Sequence, residues 1–112
     1  MSRLIDRSLR LLVQGITGRE ARMVTSHMLS YGTRVVSGVT PGRGGREVAG
    51  VPVFDTVSQA VAETQPTASL VSVPPASALD AVSEAIDNGI PLVVVATENV
   101  PQHDALRMLE RA

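Results

Sequence analysis

Residues 9–21 read LRLLVQGITGREA. The apolar run Leu9 to Gln14 reads as a buried strand, and Gly15-Ile16-Thr17-Gly18-Arg19-Glu20-Ala21 turns directly from it into an amphipathic helix. The spacing is G-x-x-G-x-x-A rather than the dinucleotide pattern G-x-G-x-x-G. Glycines at Gly15 and Gly18 permit a tight turn and a close backbone approach to a ligand. The helix that follows offers unpaired N–H groups and partial positive charge to an anion, and Thr17 can add a hydroxyl donor. The same pattern also serves as a plain strand-to-helix turn with no ligand.

Working outward, Thr33 to Val39, Ala68 to Val73 and Leu92 to Ala96 are further apolar runs. They are continuous rather than alternating, as in strands covered on both faces. Helical patterns lie between them. The first places Ala21, Val24, Met28 and Tyr31 on one stripe. The second carries Val57, Ala60 and Val61 behind Asp55 as N-cap, and the third carries Leu79, Val82 and Ile86, closed by Asn88-Gly89. A last helix is predicted from near Pro101, with Leu106 and Leu109 facing inward. The order β-α-β-loop-α-β-α-β-α predicts a four-strand parallel sheet in a Rossmann-like, doubly wound α/β fold, with residues 1–112 forming one domain. Ligands of such sheets bind at the carboxyl ends of the strands, beside the point where strand order reverses.

Composition narrows the function. Ten basic residues against eleven acidic leave a net charge of -1, which gives no general attraction to nucleic acid or anionic lipid. The aromatics are Tyr31 and Phe54 alone, too few for a base-stacking platform. With no cysteine there is no disulfide, thiolate nucleophile or iron–sulfur ligation, in keeping with a reducing compartment. The apolar run Ile90 to Ala96 contains Pro91 and falls far short of the ~20 residues of a membrane span. Arg3, Asp6, Arg7 and Arg10 interrupt any secretory apolar region, so a cytoplasmic protein is expected.

The other strand-end loops are the remaining places for chemistry. Val39-Thr40-Pro41-Gly42-Arg43-Gly44-Gly45-Arg46 sets Arg43 among glycines just past the second strand. A domain for NAD carries an acidic residue near this point, ~20 residues beyond the glycines, to hold the ribose hydroxyl. This chain has no carboxylate between Glu20 and Glu47, which argues against NAD. A cation there suits a ligand with an extra ribose phosphate, NADP or coenzyme A, although an arginine on a solvated loop is the plain alternative. Val73-Pro74-Pro75 reads as a helix-starting turn. Ala96-Thr97-Glu98-Asn99 could line an adenosine pocket or cap the last helix. His27, on the flank of the first helix's stripe, reads as half-buried structure, and His103 as exposed. No catalytic triad, metal spacing or paired-carboxylate signature stands out.

QGITG, then YGTRVVSGVTPGRGG, then GVPVFDTVSQAV, resembles the CoA-binding domain of the succinyl-CoA synthetase α subunit, one of the ADP/GDP-forming acyl-CoA ligases. TASLVSVPP and AIDNGIPLVVVATENVP continue the resemblance over nearly the whole chain, with VTPGRGG and GVPVF its most specific parts. It implies a CoA loop at Gly15 and Thr17-Gly18-Arg19-Glu20, and CoA contacts at Val39, Pro41 and Arg43. It also implies adenine neighbours at Val73 and Pro74, and a strand-end segment on the CoA site at Ala96-Thr97-Glu98. The family passes a phosphoryl group through a histidine to succinate and then exchanges it for CoA. That histidine sits in the α subunit's second domain and the nucleotide site in the β subunit. The expected role is therefore to hold coenzyme A, without turnover by this chain alone. A catalytic ligase domain and a β subunit, or self-association, are the expected partners, with no nucleic acid and no membrane.

The chain departs from that family where Gly18-Arg19-Glu20-Ala21 replaces the usual Gly-Ser-Gln-Gly, and where Arg43 replaces Lys. Arg19 adds bulk and charge, and Glu20 brings a carboxylate near an anionic ligand. Arg43 keeps the charge and changes the donor geometry. The competing readings are a stand-alone CoA- or nucleotide-binding regulatory module, or a remnant of one, without catalysis, and an NADP-linked oxidoreductase.

Overall fold

The computed structural model describes residues 9–96 and the strand at 106–110. The elements run β1 (Leu11–Gln14), α1 (Arg19–Ser30), β2 (Val35–Val39), β3 (Glu47–Val48), β4 (Val51–Phe54), α2 (Val57–Thr64), β5 (Ala68–Val71), α3 (Pro75–Asp87), β6 (Leu92–Ala96) and β7 (Leu106–Glu110). They build one seven-stranded sheet in the order β3-β4-β2-β1-β5-β6-β7. The five strands β4, β2, β1, β5 and β6 are mutually parallel, and β3 and β7 run antiparallel at the two edges. The predicted doubly wound parallel core is present, with its four strands as β1, β2, β5 and β6.

Each central strand is buried on both faces, which explains its unbroken apolar sequence. Leu11 and Val13 point into one core with Ile16, Val35, Val53 and Leu70, against which Met28 and Leu29 of α1 pack. Leu12 points the other way, into a core with Val57 and Ala60 of α2 and Ala81, Val82 and Ala85 of α3. Fully burying a side chain of the size of Leu12 or Ile16 stabilises by about 1.5–3 kcal/mol. The helices bring small residues to the sheet so that backbone and sheet can approach closely.

That choice of small residues corrects the predicted helix stripes. In α1 the buried residues are Ala21 and Thr25, while Val24 and Tyr31 are 41% and 77% exposed. The sheet-facing row runs 21, 25, 28 and includes a polar residue, so apolar spacing alone set the stripe one position off. His27 is exposed rather than half-buried, its ring edge-on to Tyr31 with centroids 5.0 Å apart. In α3, Leu79 is 75% exposed and Ala81, Val82 and Ala85 face the core. The helix does end at Asn88, followed by Gly89 at φ +82°.

Three local features also differ from expectation. Thr56, not Asp55, caps α2, its hydroxyl accepting the Gln59 N–H at 3.1 Å. The loop before α2 contains the hairpin β3–β4, closed by Ala49 and Gly50 at φ 52° and 85°. Two positive-φ residues are what a two-residue hairpin turn of the favoured hand needs. Finally, Leu106–Glu110 is a strand on β6, in register Leu92↔Glu110 to Ala96↔Leu106, and not part of a helix. Pairing satisfies the backbone groups along β6's outer edge, which outweighs the modest helix preference of Leu, Arg, Met and Glu.

Candidate functional site

Strand β1 is the switch point: the chain leaves it toward β2 on one side and later returns to its other side as β5. The loops after β1, β2 and β5 therefore diverge at their carboxyl ends. Between them lies a cleft of about 470 Å³, lined by Gln14, Gly15, Thr17, Gly18, Val39, Thr40, Pro41, Ser72, Val73, Pro74 and Ser77, with Asp80, Ala81 and Glu84 along the α3 wall. This is where doubly wound sheets hold their ligands.

The loop after β1 is anchored at both ends. Gly15 adopts φ +82° and donates its N–H to Val39 O at 2.7 Å. A Cβ at this position would stand 2.2 Å from Ser72 O, so only glycine lets the loops after β1 and β5 come together. Ile16 turns down and is fully buried, its side chain filling the space over Gly38, where a Cβ would meet it at 2.5 Å. Gly18 closes the turn on Gly15 O at 3.0 Å and serves as N-cap of α1, with no side chain capping the helix. The first-turn N–H groups of α1 thus have neither an intrahelical acceptor nor a side-chain cap, a suitable arrangement for an anion.

Two side chains tie the walls together. Thr17 donates its hydroxyl to Thr40 Oγ1 at 3.1 Å, joining the loops after β1 and β2. Gln14, buried at the end of β1, donates through Nε2 to Ser69 Oγ at 3.1 Å and to Ala81 O at 3.0 Å, fixing α3 against β5. The loop after β2 begins with Thr40 N–H donating to Phe54 O at 3.0 Å and turns back through Arg43 N–H to Thr40 O at 3.0 Å.

Of the residues predicted for the site, Gly15, Thr17, Gly18, Val39, Pro41, Val73 and Pro74 meet in this cleft. Arg43 is exposed on the adjoining glycine loop. Arg19 is exposed and lines a different groove, between α1 and the β3–β4 hairpin, with Arg22, Met23 and Glu47. Glu20 is exposed in the first turn of α1. Ala96, at the end of β6, is half-buried, does not line the cleft and packs against the core. Thr97, Glu98 and His103 lie outside the described residues. Sequence reading missed Gln14, Thr40, Ser72, Ser77, Asp80, Ala81 and Glu84. Gln14, Thr40 and Ser72 lie inside the quoted motifs QGITG, VTPGRGG and TASLVSVPP and could have been found from them. Asp80 and Glu84 carry no motif, and only the docking of α3 brings them to the cleft.

Among the described residues there is no cluster of His, Asp and Glu able to hold a metal ion, and no helix is long and apolar enough to cross a membrane. The fold and the cleft define a doubly wound nucleotide-binding domain. Residues 6–99 match the model of the CoA binding domain, and the chain belongs to that family, with coenzyme A as its cofactor. It is 50% identical over 111 residues to the alpha 2 subunit of an ADP-forming succinate–CoA ligase from Archaeoglobus fulgidus, covering 99% of this chain and 39% of that protein. It is 49% identical over 106 residues to the corresponding alpha subunit from Aquifex aeolicus, covering 95% of this chain and 35% of that one. The chain thus spans little more than a third of these relatives. The crystal structure of RSP, a Rex-family repressor, superposes with a TM-score of 0.70 at 13% identity, over 93% of this chain and 54% of that one, which is a likeness of fold alone.

Proposed function

We propose that the cleft at the switch point holds coenzyme A with its phosphates on the α1 side and its less charged parts toward α3. The carrying observation is the asymmetry of the walls. One side offers Gly15, Gly18 and the uncapped start of α1, with Arg43 on the adjoining loop. The other carries the carboxylates of Asp80 and of Glu84, whose Oε2 also accepts the Val57 N–H at 3.3 Å. Phosphates are attracted to the first wall and repelled by the second, whose carboxylates suit hydroxyl and amide donors. Arg43 takes the ribose 3′-phosphate, and Val73 and Pro74 give an apolar surface to the adenine. Thr97 and Glu98 belong to the same site by their resemblance to the family's strand-end segment. The outward side chain of Arg19 leaves the backbone donors of the loop accessible despite the change from serine.

In this reading the chain acts in an acid–thiol ligase resembling succinate–CoA ligase, in the cytoplasm, and the acyl chemistry requires a histidine domain and a β subunit. Isothermal titration calorimetry with coenzyme A, dephospho-coenzyme A and NADP tests the binding. Coenzyme A is expected to bind tightest, and Arg43→Ala to reduce its advantage over dephospho-coenzyme A by about tenfold, the loss of one charge-assisted contact. Equal affinity for all three ligands, or binding to none, overturns the proposal. The isolated chain is expected to form no succinyl-CoA.

A further inference from the structure

Arg43 stands on the exposed loop between β2 and β3. Three of its neighbours are glycine, and Gly42 and Gly45 sit at φ +84° and +92°. A cation on such a loop would lose much freedom on engaging a phosphate, and that loss would cancel much of the contact. The structure contains a device that removes this problem. Oδ1 of Asp55 accepts the N–H of Gly42 and the N–H of Gly44, each at 2.9 Å. These are the two amides that flank Arg43. Asp55 is itself tied to the start of α2 through its backbone, whose N–H donates to Gln59 Oε1 at 3.2 Å. The approach is close: a Cβ on Gly44 would stand 2.7 Å from Asp55 Oδ2. Gly45 N–H to Val53 O at 3.0 Å and Arg46 N–H to Arg43 O at 3.3 Å complete the fold of the loop.

We infer that Asp55 is the positioning residue for Arg43, and that through it α2 sets the cleft's preference for a ligand with a phosphate on its ribose. The inference rests on the reading of Arg43 as the contact to that phosphate. Asp55 acts by occupying a concave pair of backbone donors with its own carboxylate, an internal anion in a position of the kind that often binds external ones. With both flanking amides fixed, the backbone direction at Arg43 is set before the ligand arrives.

The test measures coenzyme A and dephospho-coenzyme A affinities by calorimetry for the 112-residue chain and for Asp55→Ala, Asp55→Asn, Arg43→Ala and the double variant Asp55→Ala/Arg43→Ala. Asp55→Ala is expected to cut the ratio of the two affinities about tenfold while dephospho-coenzyme A binding changes less than about twofold. Asp55→Asn keeps an acceptor oxygen and is expected to restore most of the ratio. Adding Asp55→Ala to Arg43→Ala should leave the ratio where Arg43→Ala put it. An unchanged ratio in Asp55→Ala, or equal weakening of both ligands, overturns the inference. If Arg43→Ala itself leaves the ratio intact, the reading of Arg43 fails, and the proposal for Asp55 falls with it. The clamp has its own readout in amide hydrogen exchange at Gly42 and Gly44 without ligand. Faster exchange in Asp55→Ala supports it, and unchanged exchange refutes it.

Discussion

Gly15 and Gly50 have nearly the same backbone angle, φ +82° and +85°, and very different surroundings. At Gly50 a Cβ would meet nothing within 4 Å, whereas at Gly15 it would drive into the Ser72 carbonyl. Gly50→Ala should therefore cost only the left-handed backbone penalty, about 1 kcal/mol. Gly15→Ala should cost roughly 3 kcal/mol, because the loop after β5 must also move. Urea unfolding of both variants checks this, with m expected to stay constant. Equal losses would mean that the close approach of the two loops is not needed for stability. The requirement for glycine at 15 was partly legible, since a glycine between an apolar run and a helix announces a turn. The identity of the atom it must clear was not, because Ser72 lies far along the chain.

At the scale of elements, the sheet was legible and the helices only in part. Leu11–Gln14, Val35–Val39, Ala68–Val71 and Leu92–Ala96 declare themselves because strands buried on both faces need unbroken apolar runs. The β3–β4 hairpin escapes notice because β3 has two residues and β4 contains Pro52, which weakens a strand reading. Of the predicted site, the loops after β1, β2 and β5 converge as expected, because strand order dictates it. The α3 wall was invisible, since Asp80 and Glu84 belong to no motif and reach the cleft only through the docking of α3. Thr25 shows the same limit within α1: it is fully buried among apolar neighbours, and its hydroxyl has no hydrogen-bond partner among the described residues. Thr25→Val should raise stability by about 1 kcal/mol by removing that desolvated group. A thermal melt at unchanged ligand concentration reads the effect, and a lower melting temperature would show that the hydroxyl is satisfied in solution.

At the scale of the whole molecule, the sheet is open and changes strand direction at both ends. Both margins of the parallel core are finished by antiparallel strands, β3 beside β4 and β7 beside β6. Among the residues whose burial is described, the large exposed apolar side chains are Met23 and Val24 on α1, Tyr31 at its C-cap and Leu79 on α3. The two-residue β3 leaves little open strand at its margin, which limits edge-to-edge pairing there.

The position of β1 at the centre of the sheet sets an order in time. Its second neighbour, β5, begins at Ala68, so a growing chain must be made past that residue before β1 is paired on both sides. Until then a strand that ends fully buried presents an apolar, hydrogen-bonding margin to its surroundings, the kind of surface that nascent chains must shield. A fragment of residues 1–67 should accordingly aggregate where the whole chain stays dispersed, as sedimentation of the two would show, and a monodisperse fragment would refute this. The arrangement that brings three loops together around a ligand thus also makes the domain's first strand wait for its last partner during synthesis.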